Sequence, residues 1–309
     1  MRKIVVALLL FWSSLATAEV VNVEFKFTPF VGDPIKTNQV ETLPGKASVF
    51  INNIPMAEHE VHKKEVPVLF EECEIAPSVW LPAKSLGPAL RRGKNKIRIE
   101  FQPTDSNVPY RAQFRWASVT DQITRTEDAQ GRIRETNQSG EGVDEKKATG
   151  RVVFEREFVA DFASDMPWHH YPPVTMLNDK DKKDLAMLVN ERVATFKPNF
   201  AGAYQILRNN NQNIDLAEVK KFKCLDKAYA AGVRVAAQHI DQLDFVTTEN
   251  PEVVIRSKAG NLFYPRDPES FDRIKDHDEQ MCAWIVISVL YPPRLVVVRT
   301  ASGKWEVVY

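Results

Sequence analysis

Apolar and polar residues alternate through most of the first half of the chain. Val21, Val23, Phe25 and Phe27 are separated by Asn22, Glu24 and Lys26, the period-two pattern of a strand with one buried face. Ala47–Ile51 continues in the same manner. Asn52-Asn53 suits a tight turn, and Met56–Val61 reads as the returning strand. Val66–Glu72 reads as a further strand, which Pro67 confines to an edge or to its first residue. Arg91–Asn95 is a turn rich in Gly and Asn. It feeds a strand with Ile97, Ile99 and Phe101 on one face and Lys96, Arg98 and Glu100 on the other. Tyr110–Val119 and Val152–Val159 complete the set. Short strands joined by turns, without helical periodicity, predict an N-terminal antiparallel β-sandwich over residues 19–160.

The pattern lapses twice. Residues 127–150 hold Gly131, Gly140, Gly142 and Gly150 among many charges, and are expected to form a mobile loop or a long hairpin tip inside the sandwich. Residues 161–175, with Pro167, Pro172 and Pro173, read as a linker. The period then becomes helical. Asn178 or Asp179 caps a helix with Leu185, Leu188, Val189, Val193 and Phe196 on one face, which Pro198 kinks or ends. Asp215 caps a second helix, with Leu216, Val219, Phe222, Leu225 and Tyr229 on one stripe. Glu252–Arg256 and Asn261–Tyr264 read as a hairpin. Trp284–Leu290, Leu295–Arg299 and Trp305–Tyr309 read as three more strands. Two helices packed on an antiparallel meander predict an α+β domain over residues 176–309. That order is compatible with an NTF2-like or cystatin-like architecture. The expectation is therefore of two domains.

The run from Leu81 through Gly93-Lys94-Asn95-Lys96-Ile97 resembles a turn common in jelly-roll, carbohydrate-binding-like modules. The resemblance covers a short stretch and implies only a sandwich turn with a left-handed glycine.

The N-terminal residues change the setting of this fold. Arg2 and Lys3 precede an apolar run, Ile4–Trp12, and Ala16-Thr17-Ala18 follows as a small-residue cleavage site. Residues 1–18 read as a secretory signal peptide. The apolar run is far shorter than the roughly 20 residues that span a bilayer. The expected address is the periplasm, with no stable membrane insertion after cleavage.

Charge then narrows the partners. Lys+Arg and Asp+Glu both number 41, so no basic excess draws the chain to nucleic acid or anionic lipid. Cys73, Cys224 and Cys282 form no C-x-x-C pair. In an oxidising compartment Cys224 and Cys282 are the expected disulfide; three buried thiols are the alternative.

Candidate chemistry rests on histidine. Trp168-His169-His170-Tyr171 sits among prolines and could line a ligand groove or supply imidazoles to copper or zinc. The same residues could equally wedge between the two domains. His59 and His62 have a spacing that would align them on a helix, but on a strand it sends them to opposite faces. His277 stands in Asp276-His277-Asp278-Glu279, where acid–base chemistry competes with a solvated helix end. Neither a G-x-S-x-G elbow nor a glycine-rich phosphate loop occurs, and no cofactor is implied. The expected function is a non-catalytic binding protein with a protein partner in the cell envelope, of inhibitor, immunity or assembly-factor type. The alternatives are a hydrolase with a site around His169, His170 and His277, and a metal- or carbohydrate-binding module.

Overall fold

The computed structural model describes residues 19–69, 74–127, 131, 133–209 and 214–309. The expected signal peptide and Cys73 lie outside the described residues. The fold is a β-rich α+β arrangement of mostly antiparallel sheets.

The first part contains β1 (Val20–Val31), β2 (Gln39–Thr42), β3 (Gly45–Ile51), β4 (Ile54–Val61), β5 (Glu65–Leu69) and β6 (Glu74–Ile75). It continues with β7 (Val79–Pro82), a 3-10 turn at Ala83–Ala89, β8 (Lys94–Pro103), β9 (Pro109–Glu127), β10 (Ile133–Thr149) and β11 (Val152–Val159). One sheet runs β10-β9-β1-β2-β5-β6, with β7 also paired to β1. The other runs β11-β8-β3-β4. The length of β1 explains the first order. Glu24–Phe27 pair with β7, and Phe30 and Val31 pair with β2, while β9 follows the opposite side.

Alternation then decides what meets inside. Phe25, Phe27 and Phe114 from one sheet face Phe101 and Phe154 from the other. Phe27 lies 5.8 Å from Phe101 and 6.0 Å from Phe154, and Phe114 lies 5.7 Å from Phe154, centroid to centroid, at the tilted angles aromatic pairs prefer. Asn52 (φ 50°) and Asn53 (φ 65°) take the left-handed conformations that a two-residue hairpin turn requires. Asn95 is buried, and its side chain bonds the main chain of Arg91 and Gly93 and the amide of Asn52. The turn that resembles a jelly-roll motif is therefore a structural lock.

Residues 133–149 are not a loop. They form β10, paired with β9 along nearly its whole length. Their side chains carry no apolar alternation because this outermost strand is largely solvated. Main-chain pairing alone makes it a strand. Gly140 and Gly142 sit at a register shift, where glycine accommodates the bulge.

The second part contains α1 (Asp179–Ala194), α2 (Ala201–Asn209), α3 (Leu216–Lys221), α4 (Cys224–Ala230) and β12 (Val235–Ala237). It ends with β13 (Leu243–Thr247), β14 (Glu252–Ser257), β15 (Phe263–Pro265), α5 (His277–Leu290), β16 (Arg294–Arg299) and β17 (Trp305–Val307). Asn178 caps α1 by accepting from the main chain of Asp181, and Asp215 caps α3, as the sequence predicts. Three expectations fail. The stripe after Asp215 is two helices, because Lys223 adopts φ 52° between them. Residues 284–290 belong to α5 rather than a strand. Ala283, Val286, Ile287 and Leu290 are buried at helical spacing, and the apolar but exposed Trp284 and Ile285 hide that period. The 252–264 hairpin does not form: β14 lies between β13 and β16, and β15 pairs with β12 instead.

The sheet β13-β14-β16-β17 is covered on both faces. Val253, Ile255, Leu295 and Val297 pack against the helices, while Val254 and Val296 join the apolar core of the sandwich. This is why β14 and β16 read as unbroken apolar runs.

Candidate functional site

Two places in the molecule hold unusual chemistry: the junction between the sandwich and the second part, and the free end of the β9–β10 pair.

The junction is polar at its centre. Glu252, at the start of β14, faces the sandwich with a fully buried side chain. It accepts a hydrogen bond from Arg91 Nη2 at 2.8 Å, and the Arg91 side chain is 19% exposed. Asn250 donates to the carbonyl of Asn52 at 2.6 Å, and Asn53 donates to Glu249 at 3.2 Å, so the β3–β4 turn docks on the β13–β14 turn. Glu252 Oε1, Arg91 Nη1, Trp168 Nε1 and Tyr309 Oη are buried without a protein partner. Burial pushes the Tyr309 phenol far up, with the Glu252 charge adding to it.

The Trp168–Tyr171 segment lies against this junction as a 3-10 turn at Pro167–His170. His169 Nε2 lies 2.9 Å from the carbonyl of Pro88, and its side chain is only 2% exposed. Trp168 stands edge-on to it at 5.7 Å. His170 points outward and meets Asp165 at 2.9 Å. The segment expected as a linker is thus anchored at His169, and again where Val174 N donates to Asn250 O. Burial holds the His169 imidazole below its ordinary pKa, and the bond to Pro88 O partly offsets this. The unfolded chain therefore binds a proton there at a higher pH than the folded one does. Stability should fall as pH drops below the ordinary imidazole value near 6.5 and keep falling until the lower folded value is passed. Thermal unfolding at a series of pH values should show this slope, and His169→Gln should flatten it. An unchanged slope would sink the assignment.

The other candidates do not converge. His59 lies in β4, with Nε2 buried and unpartnered, while the exposed His62 lies just past the end of that strand. His277 opens α5 behind its cap, Asp276. Among the described residues no group of three or more His, Cys, Asp or Glu side chains is placed to hold a metal ion. Cys224 and Cys282 are joined, with Cα atoms 5.7 Å apart, tying the start of α4 to α5.

The far end of the β9–β10 pair was not singled out in sequence. β1 accompanies β9 only as far as Thr120. Beyond it, residues 124–127 and 133–136 pair with each other alone, as a two-stranded ribbon. Period-two geometry sets Ile123, Arg125 and Glu127 on one face with Ile133 and Glu135. Ile123 is 72% exposed and Ile133 is 52% exposed. Ile133 falls in the segment expected as a loop and Ile123 lies past the end of the expected strand Tyr110–Val119, so neither has a face in the sequence pattern.

Comparison with protein-family models, curated proteins and solved structures gave no match.

Proposed function

We propose that the chain is an exported, non-catalytic binding protein that captures a protein partner in the cell envelope through the β9–β10 ribbon. The observation that carries this reading is the pair Ile123 and Ile133, large apolar side chains held on one face of a projecting ribbon. A two-stranded ribbon is marginal in water by itself. A partner that covered the isoleucines, or added a strand to the free edge of β10, would remove that apolar area from solvent. The Arg125–Glu135 pair on the same face, 3.9 Å apart, would give the contact polar register. The Cys224–Cys282 bond agrees with an oxidising compartment.

Affinity capture from envelope extract of the producing cells tests this reading. The wild-type protein should retain a protein in stoichiometric amount. Ile123→Asp with Ile133→Asp should lose it while the unfolding midpoint stays in place, because surface substitutions change stability by only about 0.5 kcal/mol. Equal capture by the double variant, or no protein captured by either, would refute the ribbon as the binding element.

A further inference from the structure

A cleft of about 630 Å³ lies between the two parts, on a different surface from the ribbon. Met56, Leu86 and Pro88 of the sandwich form one wall, and Val289, Pro293 and Val296 form the other. Lys84, Arg192 and Arg294 also line it, and no Asp or Glu does. The Arg192 Nε donates to the Leu290 carbonyl at 2.7 Å. Among the described residues neither Arg192 nor Arg294 forms an ion pair, and no hydrogen bond from the Arg294 guanidinium is made. Glu58 is the carboxylate whose field reaches Arg294, but it is itself paired with Lys46 at 2.5 Å. Both arginines are half-buried, and desolvation lowers the pKa of each, that of Arg192 to about 10.

No carboxylate lining the cleft offsets these charges. A guanidinium partly withdrawn from water gains from an opposite charge or from acceptors that offset its desolvation. Here two stand on apolar walls with a third cation at the rim. Their planar forks match a carboxylate or a phosphate. The volume falls within the range of about 300–1,000 Å³ typical of small-molecule sites.

We propose that this cleft binds an anionic amphiphile, its alkyl chain laid against the apolar walls and its carboxylate or phosphate head held by Arg294, Arg192 and Lys84. The head would sit where β16 and the end of α1 approach the Ala83–Ala89 turn, so the ligand touches both parts of the molecule. Shape and apolar contact hold the chain, and the cations select the head.

Calorimetric titration of the full chain, below the micelle concentration of each probe, tests this. Dodecanoate and dodecyl phosphate should both bind. Dodecanol should bind at least about tenfold more weakly, since it lacks the charge that strengthens each hydrogen bond, and dodecyltrimethylammonium should not bind. Arg294→Gln should weaken both anions by about tenfold and leave dodecanol unchanged. A preference for dodecyl phosphate would mark a lipid-phosphate source, and a preference for dodecanoate a free fatty acid. Should Arg294→Gln fail to fold by circular dichroism, exposed Lys84→Gln gives the head-group readout and Val289→Trp the chain readout. Lys84→Gln should weaken only the anions, and Val289→Trp should exclude every probe. Equal affinity for the alcohol, no binding of either anion, or anion binding unaffected by these variants would overturn the proposal.

Discussion

Glu252→Ala should destabilise the protein by about 3–5 kcal/mol, because it leaves the Arg91 charge buried and unpaired. Arg91 comes from the turn before β8 and Glu252 from the first residue of β14, so the pair bridges parts of the chain 161 residues apart. The carboxylate is fully buried and has one oxygen, Oε1, without a protein partner. Coulomb attraction at short range in a low dielectric is what makes the charges tolerable there. Glu252→Gln keeps one acceptor for Arg91 and should lose less than Glu252→Ala. The double change Arg91→Leu with Glu252→Leu should recover much of the loss, since two apolar groups leave no charge stranded. Equilibrium urea unfolding of the three variants measures the series. A Glu252→Ala loss within about 0.5 kcal/mol, the range of an ordinary surface change, would show that the pair does not join the two parts.

Reduction of Cys224–Cys282 should cost about 4 kcal/mol, the chain-entropy value for a bridge closing this sequence separation of 58. The crosslink joins helices that also meet through the Lys227–Glu279 ion pair and through Leu225, Ala228, Ala283 and Val286 of one apolar core cluster. Its loss frees the unfolded chain between α4 and α5, which includes every strand from β12 to β15. The urea midpoint of the full chain with and without reductant measures the effect, with Cys224→Ser as the matched variant. Equal midpoints would mean that the helices hold themselves in place.

Much of the fold is legible in residue order because most of its elements follow one periodic rule at a time. In β1, Phe25 and Phe27 alternate with Glu24 and Lys26, and the pleat alone sends the rings inward. Asn52-Asn53, Gly93, Asn178 and Asp215 mark turns and caps through their own backbone preferences and side-chain acceptors. Cys224 and Cys282 could be matched because few cysteines compete. Of the candidate site, the segment Trp168–Tyr171 stood out through its composition, but nothing local distinguished buried His169 from exposed His170.

The remainder depends on partners distant in the chain. β10 is a strand because β9 lies beside it, and a polar sequence is compatible with that only through the main chain. α5 is a helix although its run is apolar on nearly every side, since burial of one face against α4 and the sheet selects the spacing. Glu252, Arg91 and Tyr309 look like ordinary surface residues in sequence. They become buried neighbours only when the last sheet is covered by helices on one face and by the sandwich on the other. Local periodicity specifies which side of an element is apolar. The identity of what covers that side is a property of the packed chain, and the charged junction, the cationic cleft and the projecting isoleucines all arise at that level.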